Sequence, residues 1–151
     1  DMADVPSKEA RFEQSFGNTL ADLDAVIDAS IEWLTQMGVS AHTLYLARFI
    51  TEEMGTNILK YGYDDTERHQ IHILFTLTKT HLNVVLEDDG HEFNPLEAPE
   101  PTVTGGVDER DPGGLGIWLV QKFGKMTYTR VDGVKNRLDV SLGLDCVDAG
   151  M

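Results

Sequence analysis

The sequence predicts an α/β domain built as a two-layer sandwich, with helices on one face of a mixed, mostly antiparallel sheet. Three observations carry this. Two long stretches, 18–37 and 40–61, repeat their apolar residues at helical spacing. Shorter stretches around 71–77, 82–86 and 136–142 alternate apolar with polar residues, as half-buried strands do. The helical runs stand before and between these strands, and 151 residues with 41% hydrophobic content suit one core.

Taken in order, residues 10–17 (ARFEQSFG) are a first strand. The first helix follows, with Leu20, Leu23, Val26, Ile27, Ile31 and Leu34 on one side, Asn18 or Thr19 as N-cap and Gly38 as the stop. Ser40 opens a second helix through Leu44, Ala47, Ile50, Met54, Ile58 and Tyr61. Two strands come next, carrying Ile71, Ile73, Phe75 and Leu77, then Leu82, Val84 and Leu86. The stretch from Asp89 to Gly113 holds four of the five prolines and no sustained period, and a loop of that length reads as an active-site lid. GGLGIWLVQKFG is a glycine-rich turn feeding a short apolar helix, and Lys125–Val131 and Asn136–Leu142 form a hairpin around Asp132-Gly133. The whole chain, 1–151, is expected to be one domain with its core at about residues 10–142 and short tails.

Charge narrows the partners. Twelve basic against 26 acidic residues leave a net charge of −14, a field that repels nucleic-acid backbones and anionic membranes. An anionic ligand would need a metal ion, backbone N–H groups or a few placed cations. The single Cys146 suits a reducing compartment, and neither a transmembrane run nor a signal-peptide pattern is present, so a cytoplasmic protein is expected.

Three segments carry chemistry. In TEEMGTNILKYGY (51–63), Glu53 and Asn57 stand four apart and share a helical face. A carboxylate beside an amide oxygen suits a proton acceptor next to a magnesium ligand, although a solvated polar stripe has the same spacing. In VVLEDDGHEFNP (84–95), Asp88 shares strand parity with Leu82, Val84 and Leu86 and so points to the buried side, where a carboxylate needs a donor. The exocyclic amine of adenine is one such donor. Gly90, without a Cβ, would let a flat ring approach, whereas an ordinary Asp-Gly turn lacks a return strand here. In DPGGLGIWLV (111–120), glycines beside a helix start can offer N–H groups to phosphate, or simply allow tight helix packing. This is neither a Walker loop nor a dinucleotide fingerprint.

In this order and at these intervals, the segments resemble those of the GHKL ATPase superfamily, whose domain is the Bergerat fold. Within it they look most like the anti-sigma-factor serine kinases of bacterial partner-switching systems. Glu53, Asn57 and Tyr63 fall on the family's N-box, and Asp88, Gly90, Phe93 and Pro95 on its adenine box. Gly114 and Gly116 fall on its Gly-x-Gly box, with Ile117–Phe123 as the helix that follows.

The resemblance implies that Asp88 binds the adenine amine, with Gly90 and Phe93 beside it, and that Asn57 holds Mg2+ against the phosphates of ATP. It implies Glu53 as general base toward an acceptor hydroxyl, with the backbone of Gly113, Gly114, Leu115 and Gly116 on the phosphates and Arg110 near the γ-phosphate or a partner. A STAS-type anti-anti-sigma protein would be the substrate, and the same family logic leaves room for a sigma factor as second partner and for a homodimer. Glu92 stands where the family has a second glycine, Tyr61 where it often has histidine, and Gly124 where it often has an acid.

Two functions follow. One is a protein-serine kinase acting on the STAS partner, which the intact Glu53–Asn57 pair favours. The other is a non-catalytic module that sequesters a regulator and uses ATP as a switch. The catalytic domain of a sensor histidine kinase is disfavoured, because the sequence has no room for a phosphoacceptor helical pair. Trp33 and Trp118 read as packing residues, His91 as a solvated loop residue, and Lys122 as an exposed helix cation or a phosphate contact. His69 and His72, three apart on a strand, are expected on opposite faces, which speaks against zinc.

Overall fold

A computed structural model describes residues 9–97 and 112–144. The chain opens with β1 (Ala10–Gly17), then α1 (Leu20–Gln36) and α2 (Ala41–Tyr61). β2 (Gln70–Leu77) and β3 (His81–Asp88) follow, then a single 3-10 turn at Pro95–Glu97, α3 (Pro112–Phe123), β4 (Lys125–Val131) and β5 (Lys135–Gly143).

Local chemistry sets the helix ends. Thr19 is extended, and its hydroxyl accepts from the backbone N–H of Asp22 at 3.1 Å, so α1 starts one residue after it. Met37 is the last residue to close on the helix, and Gly38 leaves it at φ 84°, where a side chain would be strained. Ser40 caps α2 in the same way through Thr43 N. The side of α1 carrying Leu23, Val26, Ile27 and Leu34 packs on α2 and on the sheet, against Ile50, Met54, Ile71, Ile73 and Phe75, all nearly inaccessible to solvent. Ser30 and Thr51, polar but buried, donate to the carbonyls of Ile27 and Ala47 in their own helices, both at 2.8 Å.

The sheet has five strands in the order β1-β2-β3-β5-β4. Every pairing among the described residues is antiparallel, where a mixed, mostly antiparallel sheet is expected. The cause is visible at the helix pair. The chain leaves β1 at Gly17 and re-enters the sheet at Gln70 at the same end. The two points are stitched by Asn18 N donating to His69 O at 3.1 Å and His69 N donating to Asn18 Oδ1 at 3.0 Å. An antiparallel pair of helices returns the chain to where it left, which forces β2 to run against β1. At the other end Asp132 (φ 53°) and Gly133 (φ 71°) form the tight turn joining β4 to β5, whose twist suits left-handed residues.

Core residues follow the alternation of the strands, with Val85 the one buried residue of β3 on the opposite face. Leu82, Val84, Leu86 and Asp88 of β3 face the helices, opposite Leu142, Val140, Leu138 and Asn136 of β5. The other face is mostly polar, with Arg137 between Glu87 (3.8 Å) and Asp139 (3.7 Å), and Leu74 opposite Val85 as its apolar pair. The architecture is thus the two-layer α/β sandwich that the sequence predicts.

Candidate functional site

Two clusters of the singled-out residues lie along α2. The first surrounds Asp88, the last residue of β3. Its strand parity turns it into the molecule, and only 5% of it is exposed. Oδ1 accepts from Gly90 N at 2.9 Å and from the Asn136 amide, Nδ2, at 3.0 Å. Oδ2 makes no hydrogen bond to any described residue. Burial raises the pKa of Asp88; the Asn136 amide and Gly90 N–H pull it back, Asp89 adds to the rise and Arg130 opposes it.

Gly90 is in close quarters: a Cβ there would collide with the carbonyl oxygen of Gly62, the C-cap of α2. His91 N donates to that same oxygen at 3.0 Å, and Arg130 Nη1 donates to Gly90 O at 2.9 Å. The 88–91 turn is therefore clamped between the end of α2 and the β4–β5 hairpin. Phe93 is half-buried, with its N–H 3.3 Å from Asn136 Oδ1 and its ring 6.0 Å from that of Tyr61. No return strand follows among the described residues, and this sets the turn apart from an ordinary hairpin.

Tyr63 stacks flat on His69, with ring centroids 4.0 Å apart. Its hydroxyl is buried, and that burial together with the nearby Asp88 and Asp89 carboxylates pushes its pKa far up. His69 does not lie on a strand as expected: it precedes β2. Its Nε2 meets Asp65 at 2.7 Å and its Nδ1 meets Asp89 at 3.3 Å. Those carboxylates raise its pKa, the Asp65 hydrogen bond most. His91 faces Asp64 at 3.1 Å. His72 lies apart from these, 2.8 Å from Glu13 and 3.0 Å from Ser15, though it lines the same 610 Å³ basin at the strand ends as His69. His69 stands just before the strand, so strand parity does not reach it, and the two histidines keep separate partners.

The second cluster lies one to three turns earlier on α2. Asn57 is buried, and its Nδ2 donates to the Glu53 carbonyl at 2.8 Å, leaving its Oδ1 without a hydrogen bond to a described residue. The Glu53 side chain reaches α3. A Cβ on Gly116 would overlap its carboxylate and lie 3.0 Å from its Cγ, so these two elements meet only because residue 116 has no side chain. Partial burial raises the pKa of Glu53; Lys60 opposes the rise and Glu52 adds to it. The glycines are not a turn ahead of the helix, as the sequence suggests: Gly113, Gly114, Leu115 and Gly116 lie inside α3, which starts at Pro112. Proline is suited to a first helical position, since it lacks the N–H that the first turn leaves unpaired. Arg110 and the middle of the supposed lid lie outside the described residues.

Between Glu53 and Gly62 the helix advances by about 14 Å, at 1.5 Å per residue. One helix thus joins a cluster carrying a free carboxylate oxygen to one carrying a carboxylate, an amide and a glycine-bearing helix start. Sequence reasoning missed Asn136, which ties the first cluster together, and with it Tyr128 and Arg130. Strand parity was the available signal: Asn136 shares a face with Leu138, Val140 and Leu142, as Asp88 does with its own neighbours. Trp33 packs on Phe12 and against the core, as expected, and Lys122 sits 4.6 Å above the half-buried Trp118 ring.

No helix among the described residues is long and apolar enough to cross a membrane. A family model described as histidine kinase-like ATPase domain matches residues 16–142. The chain is 24% identical over 109 residues to the serine/threonine-protein kinase BtrW of Bordetella bronchiseptica, across 69% of this chain and 77% of that protein. It is 25% identical over 95 residues to the serine-protein kinase RsbW of Oceanobacillus iheyensis, across 57% of each, so it spans little more than half of that relative.

Proposed function

The chain belongs to the histidine kinase-like ATPase domain family, and from that premise we propose that it is an ATP- and Mg2+-dependent protein-serine kinase of the anti-sigma-factor type. Its substrate would be a serine of a STAS-type anti-anti-sigma protein, and a sigma factor its second partner. Membership of the family carries ATP binding with it, and relatives named as serine kinases give the coarse activity. The observation that carries the finer reading is the pairing of Glu53, midway along α2, with Gly116, while Asp88 near the C-terminal end of that helix keeps Oδ2 clear of every described donor.

The residues present fit the nucleotide. Asp88 Oδ2 is an acceptor with no donor among the described residues, suited to the adenine amine, and Gly90 and Phe93 flank it. Asn57 Oδ1 is a hard, neutral oxygen of the kind magnesium accepts. The first turn of α3, with Gly113, Gly114, Leu115 and Gly116, would hold phosphate on unpaired N–H groups. Bound Mg2+ would supply charge neutralisation at the phosphates. Glu53 does the proton work. Its carboxylate takes the proton of the serine hydroxyl while that oxygen bonds the γ-phosphorus, and ADP departs with the electrons of the broken bridge bond. Its raised pKa makes it a better base than a fully solvated carboxylate, at the cost of needing higher pH to be ionised.

The test is single-turnover transfer from labelled ATP to a purified STAS-domain partner. Glu53→Gln is expected to slow transfer about 10²–10⁴-fold with ATP affinity little changed. A wild type that binds ATP and partner yet transfers nothing would refute the kinase and leave a nucleotide-controlled binding module. A variant as fast as wild type would remove Glu53 as the base.

A further inference from the structure

Asn136 opens the buried side of β5, directly opposite Asp88 in the strand register, with 4% of its surface exposed. Its amide is wholly committed. Nδ2 donates to Asp88 Oδ1 at 3.0 Å and to His91 O at 2.8 Å. Its Oδ1 accepts from the Tyr128 hydroxyl, from Phe93 N at 3.3 Å and from Arg130 Nη1 at 3.2 Å.

That pattern admits one orientation only. Rotating the amide by half a turn would set its NH2 against the Phe93 and Arg130 donors and its oxygen against two acceptors, with only the Tyr128 hydroxyl able to turn to suit it. Tyr128 and Arg130 thus fix Asn136 from behind, and Asn136 in turn fixes Asp88. Gly90 N and Asn136 both take Oδ1 of Asp88, so the second oxygen is the one left over for a ligand.

Resting on the reading of Asp88 as the adenine contact, we propose that Asn136 is a positioning residue that sets nucleobase choice. By occupying Oδ1 and blocking rotation of the carboxylate, it presents Oδ2 as a fixed acceptor to the exocyclic amine of adenine. A base with a carbonyl there, or with hydrogen alone, gains nothing from it. Asn136 need not touch the nucleotide to do this. Its effect is therefore confined to ligands that carry the amine, whereas a residue that merely held the fold together would affect all nucleotides alike.

The experiment is calorimetric titration of the full chain with ATP and with purine riboside triphosphate, which is ATP lacking only the amine. Wild type is compared with Asn136→Ala and Asn136→Leu, each with its thermal midpoint measured. The second variant is neutral and fills nearly the same volume without any donor to Asp88, so it guards against a failure of Asn136→Ala to fold. Wild type is expected to prefer ATP by about tenfold or more, the scale of one hydrogen bond to a charged group. In both variants that ratio is expected to fall toward one. If the variants lose affinity for both nucleotides by the same factor, Asn136 is structural only and the inference is overturned. Equal binding of the two nucleotides by wild type would remove Asp88 from the amine, and the inference with it. If wild type binds neither, the ATP-binding reading itself fails.

Discussion

Gly116→Ala puts a single methyl group where α3 meets Glu53. The added Cβ would overlap the Glu53 carboxylate and stand 3.0 Å from Cγ. Carbon atoms settle at about 3.5–4.0 Å, so the carboxylate has to move by on the order of 1 Å or more. A displacement of that size in a reacting group costs about 10²-fold in rate. Stability should scarcely register the change. Alanine for glycine in a helix gains about 1 kcal/mol, while forcing Glu53 off its rotamer costs about 0.5–1.5 kcal/mol, and the two nearly cancel. The expected result is phosphoryl transfer to the proposed STAS partner slowed about 100-fold, with the thermal midpoint close to wild type. Single-turnover transfer beside thermal unfolding measures both. Transfer at the wild-type rate in a folded Gly116→Ala protein would refute the reasoning, because it would show that the base does not act from its place against α3.

Asp88→Asn is expected to weaken ATP and ADP alike, about 10–100-fold by calorimetry, since both carry the same adenine. The same variant should be no less stable than wild type at neutral pH. Burial raises the folded-state pKa of Asp88 above its unfolded value, so the folded protein holds the proton more tightly. Stability is then lost as pH rises through that window, a loss that a neutral Asn avoids and that chemical denaturation at two pH values detects. Asn57→Ala should lower magnesium-dependent ATP affinity while leaving magnesium-free ADP binding nearly unchanged; equal losses in both titrations would point to packing instead. With Glu53 as the proposed base, it must be ionised to accept a proton, and since burial raises its pKa, transfer should fall as pH drops through a value above that of an exposed glutamate. That limb should vanish from the residual activity of Glu53→Gln.

Much of the fold and of the site is legible in the residues, wherever a local rule is enough. Asp88 faces inward because strands alternate, and a carboxylate on an otherwise apolar strand face stands out in the sequence itself. Thr19, Ser40 and Asp132-Gly133 mark their ends and turn by chemistry confined to a few residues. What escapes depends on pairings between distant segments. Nothing near Asn136 says that β5 will slide between β3 and β4, so its role as a partner of Asp88 is invisible although its parity is not. Gly116 shows the same limit. Its spacing suggests a phosphate loop, whereas the backbone continues as helix and the missing side chain makes room for Glu53. His69 stands one residue before β2, where strand parity no longer governs a side chain.

The strand order also fixes when the molecule can be finished. β3 lies at the centre of the sheet, yet one of its two neighbours, β5, is synthesised last, with Asn136 emerging 48 residues after Asp88. A growing chain that has released β1, both long helices, β2 and β3 has most of its apolar residues and an open flank on β3. Chain growth at about 5–20 residues per second keeps that flank uncovered for seconds. Asp88 in that interval lacks the amide that holds it, and any chaperone that attends the birth of the domain would find the exposed edge of β3.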